Sequence, residues 1–98
     1  DAEELRVDAA LRAGRHLEIL AEAQARVEES PLRERRWAML ALAQYRSGRQ
    51  SEALASLRRV RTLLNAELGV DPGDELVALE RAILRHEQSE RGTWGNGR

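Results

Sequence analysis

"RAGRHLEILA" at residues 12–21 and "RSGRQSEALA" at residues 46–55 state one pattern twice. Six of the ten positions are identical, Arg12/Arg46, Gly14/Gly48, Arg15/Arg49, Glu18/Glu52, Leu20/Leu54 and Ala21/Ala55, at a constant offset of 34 residues. Each copy sets a glycine just ahead of an amphipathic run. Glycine enters the left-handed backbone region at little steric cost, so it can end one helix and let the next begin. Self-similarity at such a period describes a supersecondary unit that buries its apolar face only by stacking on the next copy.

Working outward from the two glycines, the chain reads as about five helices. The first covers residues 2–13, with Asp1, Glu3 and Glu4 at the positive end of its dipole. The second covers 16–29, with Leu17, Leu20 and Val27 on its apolar side. Ser30-Pro31 reads as an N-cap and a first helical position, opening a third helix over 31–47 that carries Trp37, Leu40, Ala41 and Tyr45. The fourth spans 50–68, with Ala53, Leu54, Leu57, Val60, Leu64 and Leu68 in one stripe, and Gly69 ends it. In "VDPGDEL" Asp71 reads as the cap, Pro72 as the first helical residue and Asp74 as the reciprocal member of a capping box. A fifth helix then turns Leu76, Leu79 and Ile83 inward and ends near residue 88; glycine-rich 89–98 reads as a flexible tail in which Trp94 is solvated. No segment alternates apolar and polar over a strand's length, so the fold class is all-α.

Composition narrows the function. Ninety-eight residues make one domain, and Asp1 in place of an initiator methionine points to a segment of a longer polypeptide. The net charge of −1 supplies no field toward nucleic acid or anionic membrane. The absence of cysteine removes disulfides, thiolate nucleophiles and cysteine zinc sites together. All sixteen basic residues are arginine, a bias that fits a GC-rich genome. Without a signal peptide or a bilayer-length apolar run, the expected location is the bacterial cytoplasm.

A 34-residue period of two helices resembles the tetratricopeptide repeat. The second unit carries Trp37, Leu40, Ala41, Ala53 and Leu57 at that repeat's positions, with Gln44 where tyrosine is usual. Small Ala41 and Ala53 allow two antiparallel helices to approach closely. The expected architecture is therefore a tetratricopeptide-repeat-like stack of antiparallel helical hairpins. "GRH", "SPLRERRW", "ALAQYRSGRQSEAL", "ELGVDPGDEL" and "ALERAIL", in this order, also resemble the bacterial transcriptional activator domain, the helical module of antibiotic-regulatory-type activators. The match covers residues 5–88 and includes the Leu-Gly-Val-Asp-Pro-Gly junction that generic tetratricopeptide repeats lack; residues 1–88 are assigned to this domain. The resemblance implies a winged-helix DNA-binding domain before the module in the parent protein. It implies an ATPase, further repeats or another signalling domain after it, and contacts with the transcription machinery or with neighbouring domains. The family's first helices look absent from this chain, which would leave an apolar face open to self-association.

Chemistry-bearing motifs are scarce. No glycine-rich loop precedes a lysine, His16 and His86 have no ligand-spaced partners, and the carboxylates are scattered along solvated faces. Neither an enzyme activity nor a cofactor or metal site is expected. The basic concentrations, "RERR" at 33–36 and the trio Arg58, Arg59 and Arg61, read as solvated faces, with Arg58 and Arg61 sharing a direction and Arg59 turned elsewhere. Direct nucleic-acid binding is not expected of this segment. By resemblance to repeat proteins, the first helix of each pair lines an inner face that meets a partner. The matching residues are Glu4, Asp8, Leu11 and Arg12 in the first unit and Arg35, Ala38, Leu42, Tyr45 and Arg46 in the second. The expected function is a protein–protein interaction module of a transcriptional regulator, with RNA polymerase or other domains of the parent as partner. The alternatives are a homo-oligomerisation element and an intramolecular sensor or scaffold in an ATPase- or cyclase-type signalling protein.

Overall fold

Glycine turns divide the chain where the repeat places them. The computed structural model describes the backbone of residues 14–96 and the side chains of residues 14–87. Four helices lie in this region: α1 (His16–Glu29), α2 (Glu34–Arg46), α3 (Gln50–Leu68) and α4 (Asp74–Asn96). The expected helix over 2–13, with Glu4, Asp8, Leu11 and Arg12, falls outside the described residues.

Gly14, Gly48 and Gly69 all have positive φ. At Gly48 (φ +80°) the reversal lets the Arg49 N–H reach the Gln44 carbonyl at 2.8 Å. At Gly69 the Val70 N–H reaches back to the Leu64 carbonyl at 3.4 Å. The first is the six-to-one closure that satisfies carbonyls left over at a helix end; the second spans one residue more and stands beside the Gly69 N–H on the Asn65 carbonyl at 3.0 Å.

Consecutive helices pack as antiparallel hairpins, and α2 is the hub, touching α1, α3 and α4. One core runs through the stack, from Ala23 and Val27 of α1 through Trp37, Leu40 and Ala41 of α2. It continues through Ala53, Leu57, Val60 and Leu64 of α3 to Leu76 and Ile83 of α4. Ala41 and Ala53 are both 0% exposed, so the small residues sit where α2 and α3 approach each other. No Cα of α1 lies within 8 Å of one in α3.

The structure corrects several local expectations. α2 begins at Glu34 rather than at Pro31. Residues 30–33 form a turn closed by the Arg33 N–H on the Ser30 carbonyl at 3.1 Å, with Pro31 at the position its fixed φ suits. The Pro31 carbonyl accepts the Trp37 indole N–H at 2.7 Å. In a helix starting at Pro31 that carbonyl would take the backbone N–H of residue 35 and leave the buried indole unpaired.

α4 begins at Asp74, and its first turn bonds through Val77 N–H to the Gly73 carbonyl. Its cap comes from another helix: Glu34 Oε1 accepts the Gly73 N–H at 2.7 Å. Asp71, expected to cap, instead accepts from Asn65 Nδ2 at 3.5 Å. The α4 backbone also runs to Asn96, past the end expected near residue 88. Gly92 and Gly95 lower helix propensity but, unlike proline, keep their N–H groups for helical bonding.

Two leucines leave the predicted stripes. Leu17 is 64% exposed, because the buried stripe of α1 is Ile19, Ala23 and Val27 and Leu17 stands about 160° around the helix from Ile19. Leu68 is 55% exposed, in the last turn of α3 beyond the packed residues of that helix.

Candidate partner-binding surface

The side of α2 that carries the predicted inner-face residues meets α4. Arg35 Nη1 lies 3.4 Å from Glu75 Oε2. One end of α2 away, the Tyr45 ring meets the His86 imidazole edge-on, with centroids 5.4 Å apart. His86 Nδ1 is also 3.0 Å from Gln50 Nε2, which joins the start of α3 to the same cluster. With the Glu34 cap on Gly73, this side of the stack is tied at both ends of α2. Arg35 and Tyr45 are thus brought together against the last helix. Ala38 and Leu42 are buried, and Arg46 is exposed at the C-terminal end of α2.

One buried polar contact has no counterpart among the residues singled out from the sequence. Gln44, at the position where the repeat pattern has tyrosine, accepts the Ser56 hydroxyl at 2.8 Å in the interface between α2 and α3. Burial of either group alone would leave an unmet hydrogen bond, so the two positions are coupled. The signal was present in the sequence as an amide at a core position of the repeat.

The arginine concentrations separate by partner rather than forming a stripe. Arg36 bridges α1 and α2, donating to Glu29 Oε1 at 2.7 Å and to the Arg26 carbonyl at 2.9 Å. Arg61 turns to Glu80 of α4. Arg58 and Arg59 instead turn together to the side of α3 that faces α1. This differs from the expectation that Arg58 would accompany Arg61. A guanidinium on a long flexible stem is placed by the nearest counter-charge or ring as much as by its helical angle. Here Glu80 draws Arg61 and the Trp37 ring draws Arg59, whose Cζ lies 5.4 Å from the ring centroid.

His16 is exposed, and no cluster of three or more His, Cys, Asp or Glu side chains is disposed to hold a metal among the described residues. No helix among them is long and apolar enough to cross a membrane.

A tetratricopeptide-like stack with two arginine-and-carboxylate seams, carried on one central helix, defines an all-helical repeat-like domain. The chain matches the family model of the bacterial transcriptional activator domain over residues 1–84, and it belongs to that family. It is 48% identical over 85 residues to the regulatory protein AfsR of Streptomyces griseus, which covers 87% of this chain and 9% of AfsR. It is 44% identical over 82 residues to the transcriptional regulatory protein EmbR of Mycobacterium tuberculosis, covering 84% of this chain and 21% of EmbR. A solved structure of Mycobacterium tuberculosis EmbR in complex with a low-affinity phosphopeptide superposes with a TM-score of 0.75, covering 87% of this chain and 22% of that one. The chain therefore spans between 9% and 22% of the length of these relatives.

Proposed function

We propose that this chain is a non-enzymatic protein–protein interaction module of a bacterial transcriptional regulator, working in the cytoplasm. It holds a surface of RNA polymerase or of a neighbouring domain in register with a DNA-bound part of the parent protein. The observation that carries this reading is the identity of 44–48% with proteins named as regulators over most of this chain's length. Because those relatives keep most of their length outside the matched region, surfaces of adjoining domains are available partners alongside polymerase. The contacting residues proposed are Arg35, Leu42, Tyr45 and Arg46 of α2, with Glu4, Asp8 and Arg12 of the preceding segment.

Arg46 offers the clean test, because it is exposed and a charge change there leaves the core intact. Arg46→Glu in the parent regulator is expected to reduce both polymerase capture by the purified protein and activation of a reporter promoter, with an unchanged helical circular dichroism spectrum. Unchanged capture and activation would remove the inner face from the proposal. A second reading, self-association, draws on the exposure of Leu17 and Leu68; sedimentation as a monomer at all concentrations would discard it.

A further inference from the structure

Opposite the α4 side of the stack, α1 and α3 flank an open groove of about 730 Å³. That lies within the roughly 300–1,000 Å³ usual for pockets that receive ligands. The α1 wall carries Gln24, Val27 and Glu28, and the α3 wall carries Ala55, Thr62 and Ala66 between its larger side chains. Trp37 of α2 forms the floor; it is 2% exposed, with its indole N–H turned inward to Pro31.

The electrostatics of the walls are unequal. On the α1 wall, the Glu28 carboxylate already accepts the Gln24 amide at 3.1 Å. On the α3 wall, Arg58 and Arg59 have no carboxylate partner among the described residues, whereas Arg26, Arg35, Arg36, Arg49 and Arg61 each have one. Arg59 lies over the Trp37 ring, its Cζ 5.4 Å from the centroid, a contact that uses none of its five N–H donors on a carboxylate. The groove thus offers an apolar base through half-buried Ala55 and Leu63, and two guanidinium groups without a carboxylate partner along one rim.

We infer that this groove docks an amphipathic helix of a partner protein, its apolar side chains seated on Ala55 and Leu63 and its carboxylates paired with Arg58 and Arg59. The inference rests on the reading of the chain as a protein-interaction module. Both walls are helices, and the residues facing the groove follow helical spacing. The small side chains at Ala55, Thr62 and Ala66 let a third axis approach to the roughly 8–10 Å at which helices pack. Nucleic acid fits less well. Trp37 is covered by Arg59 and offers no open ring for a base, and two arginines on a chain of net charge −1 make a short phosphate track.

Trp37 is itself the reporter. In the 98-residue chain with Trp94→Phe, it is the sole tryptophan. The probe is a synthetic helical peptide of two to three turns per face, with leucine at every third or fourth position and glutamate flanking them. Titration is expected to change Trp37 emission saturably, with affinity that falls as salt is raised. Arg58→Glu/Arg59→Glu is expected to weaken binding roughly tenfold or more, and the same peptide with lysine in place of glutamate should then bind the reversed variant better. Arg58→Glu alone, which leaves the Trp37–Arg59 contact in place, should give part of that loss.

No saturable change, or equal affinity of the reversed and parent chains, would overturn the assignment. So would a groove-dependent dimer in sedimentation, which would make a second copy the occupant, or salt-dependent binding of duplex DNA lost in the same double variant. Failure here is separable from failure of the interaction reading. A parent regulator that keeps polymerase capture with Arg58→Glu/Arg59→Glu but loses it with Arg46→Glu retains its interaction role and loses this groove.

Discussion

The two sides of the stack are built from comparable helices but end differently. On one side α2 and α4 are in contact, joined by Arg35–Glu75, the Glu34 cap on Gly73 and the Tyr45–His86 ring contact. On the other side α1 and α3 stand apart, with Trp37 filling the base and Arg58 and Arg59 on the rim. The difference comes from side-chain size and chain entry. The Trp37 indole, bonded to the Pro31 carbonyl, fills the base between α1 and α3, whereas the Glu34 bond to Gly73 sets the start of α4 against the start of α2.

That contrast can be broken first at its core. Ile83, fully buried on α4, is expected to cost about 2–5 kcal/mol when replaced by alanine, because a cavity opens where α4 meets the hub. A fall in the urea midpoint of unfolding checks it. A loss no larger than that of a surface substitution would mean that α4 is not held as described.

A smaller effect is expected at the polar contact common to both sides. Ser56→Ala leaves the buried Gln44 amide oxygen without its donor and should cost about 1–3 kcal/mol. Combining it with Gln44→Leu should cost less than the sum of the two single changes, which a double-mutant cycle measures directly.

The closed side can then be sharpened at its cap. Glu34→Ala is expected to lose about 0.5–2 kcal/mol, the range for loss of an N-terminal cap, and to speed hydrogen exchange at the Gly73 amide. Glu34→Gln, which still presents an acceptor oxygen, should lose less. A Cβ at Gly73 would sit 3.2 Å from that same Glu34 oxygen, so Gly73→Ala tests how far the carboxylate can yield.

The smallest change is expected on the open side. Arg59→Ala removes the cation over Trp37 and should cost only about 0.5–1 kcal/mol, while changing Trp37 fluorescence without altering helicity. A loss comparable to that of Ile83→Ala would show that Arg59 holds the fold together and that the two sides are not so different.

Much of the candidate surface was legible in the sequence as positions, less as contacts. Resemblance to repeat proteins singled out Arg35 and Tyr45 of α2; their meeting with Glu75 and His86 depends on how α4 crosses α2. Leu42 was as visible as Leu40 in the sequence; both are buried, and nothing local distinguishes a groove leucine from a core one. Helical angle paired Arg58 with Arg61 and set Arg59 apart, but long side chains choose partners 19 or 22 residues away in the chain, Glu80 for Arg61 and Trp37 for Arg59.

By itself the sequence determined an all-helical chain cut at Gly14, Gly48 and Gly69, the α1 and α3 boundaries, the small-residue seam of Ala41 and Ala53, and the family. These follow from local causes: a 3.6-residue apolar period, a backbone reversal that glycine permits, and a junction motif read in order. The tertiary structure alone decided that Pro31 would serve Trp37 from a turn, that Glu34 rather than Asp71 would cap α4, and that α1 and α3 would leave a groove. Each of these is a competition among groups distant in sequence for one donor, one acceptor or one volume, and its outcome is set only once the helices are packed.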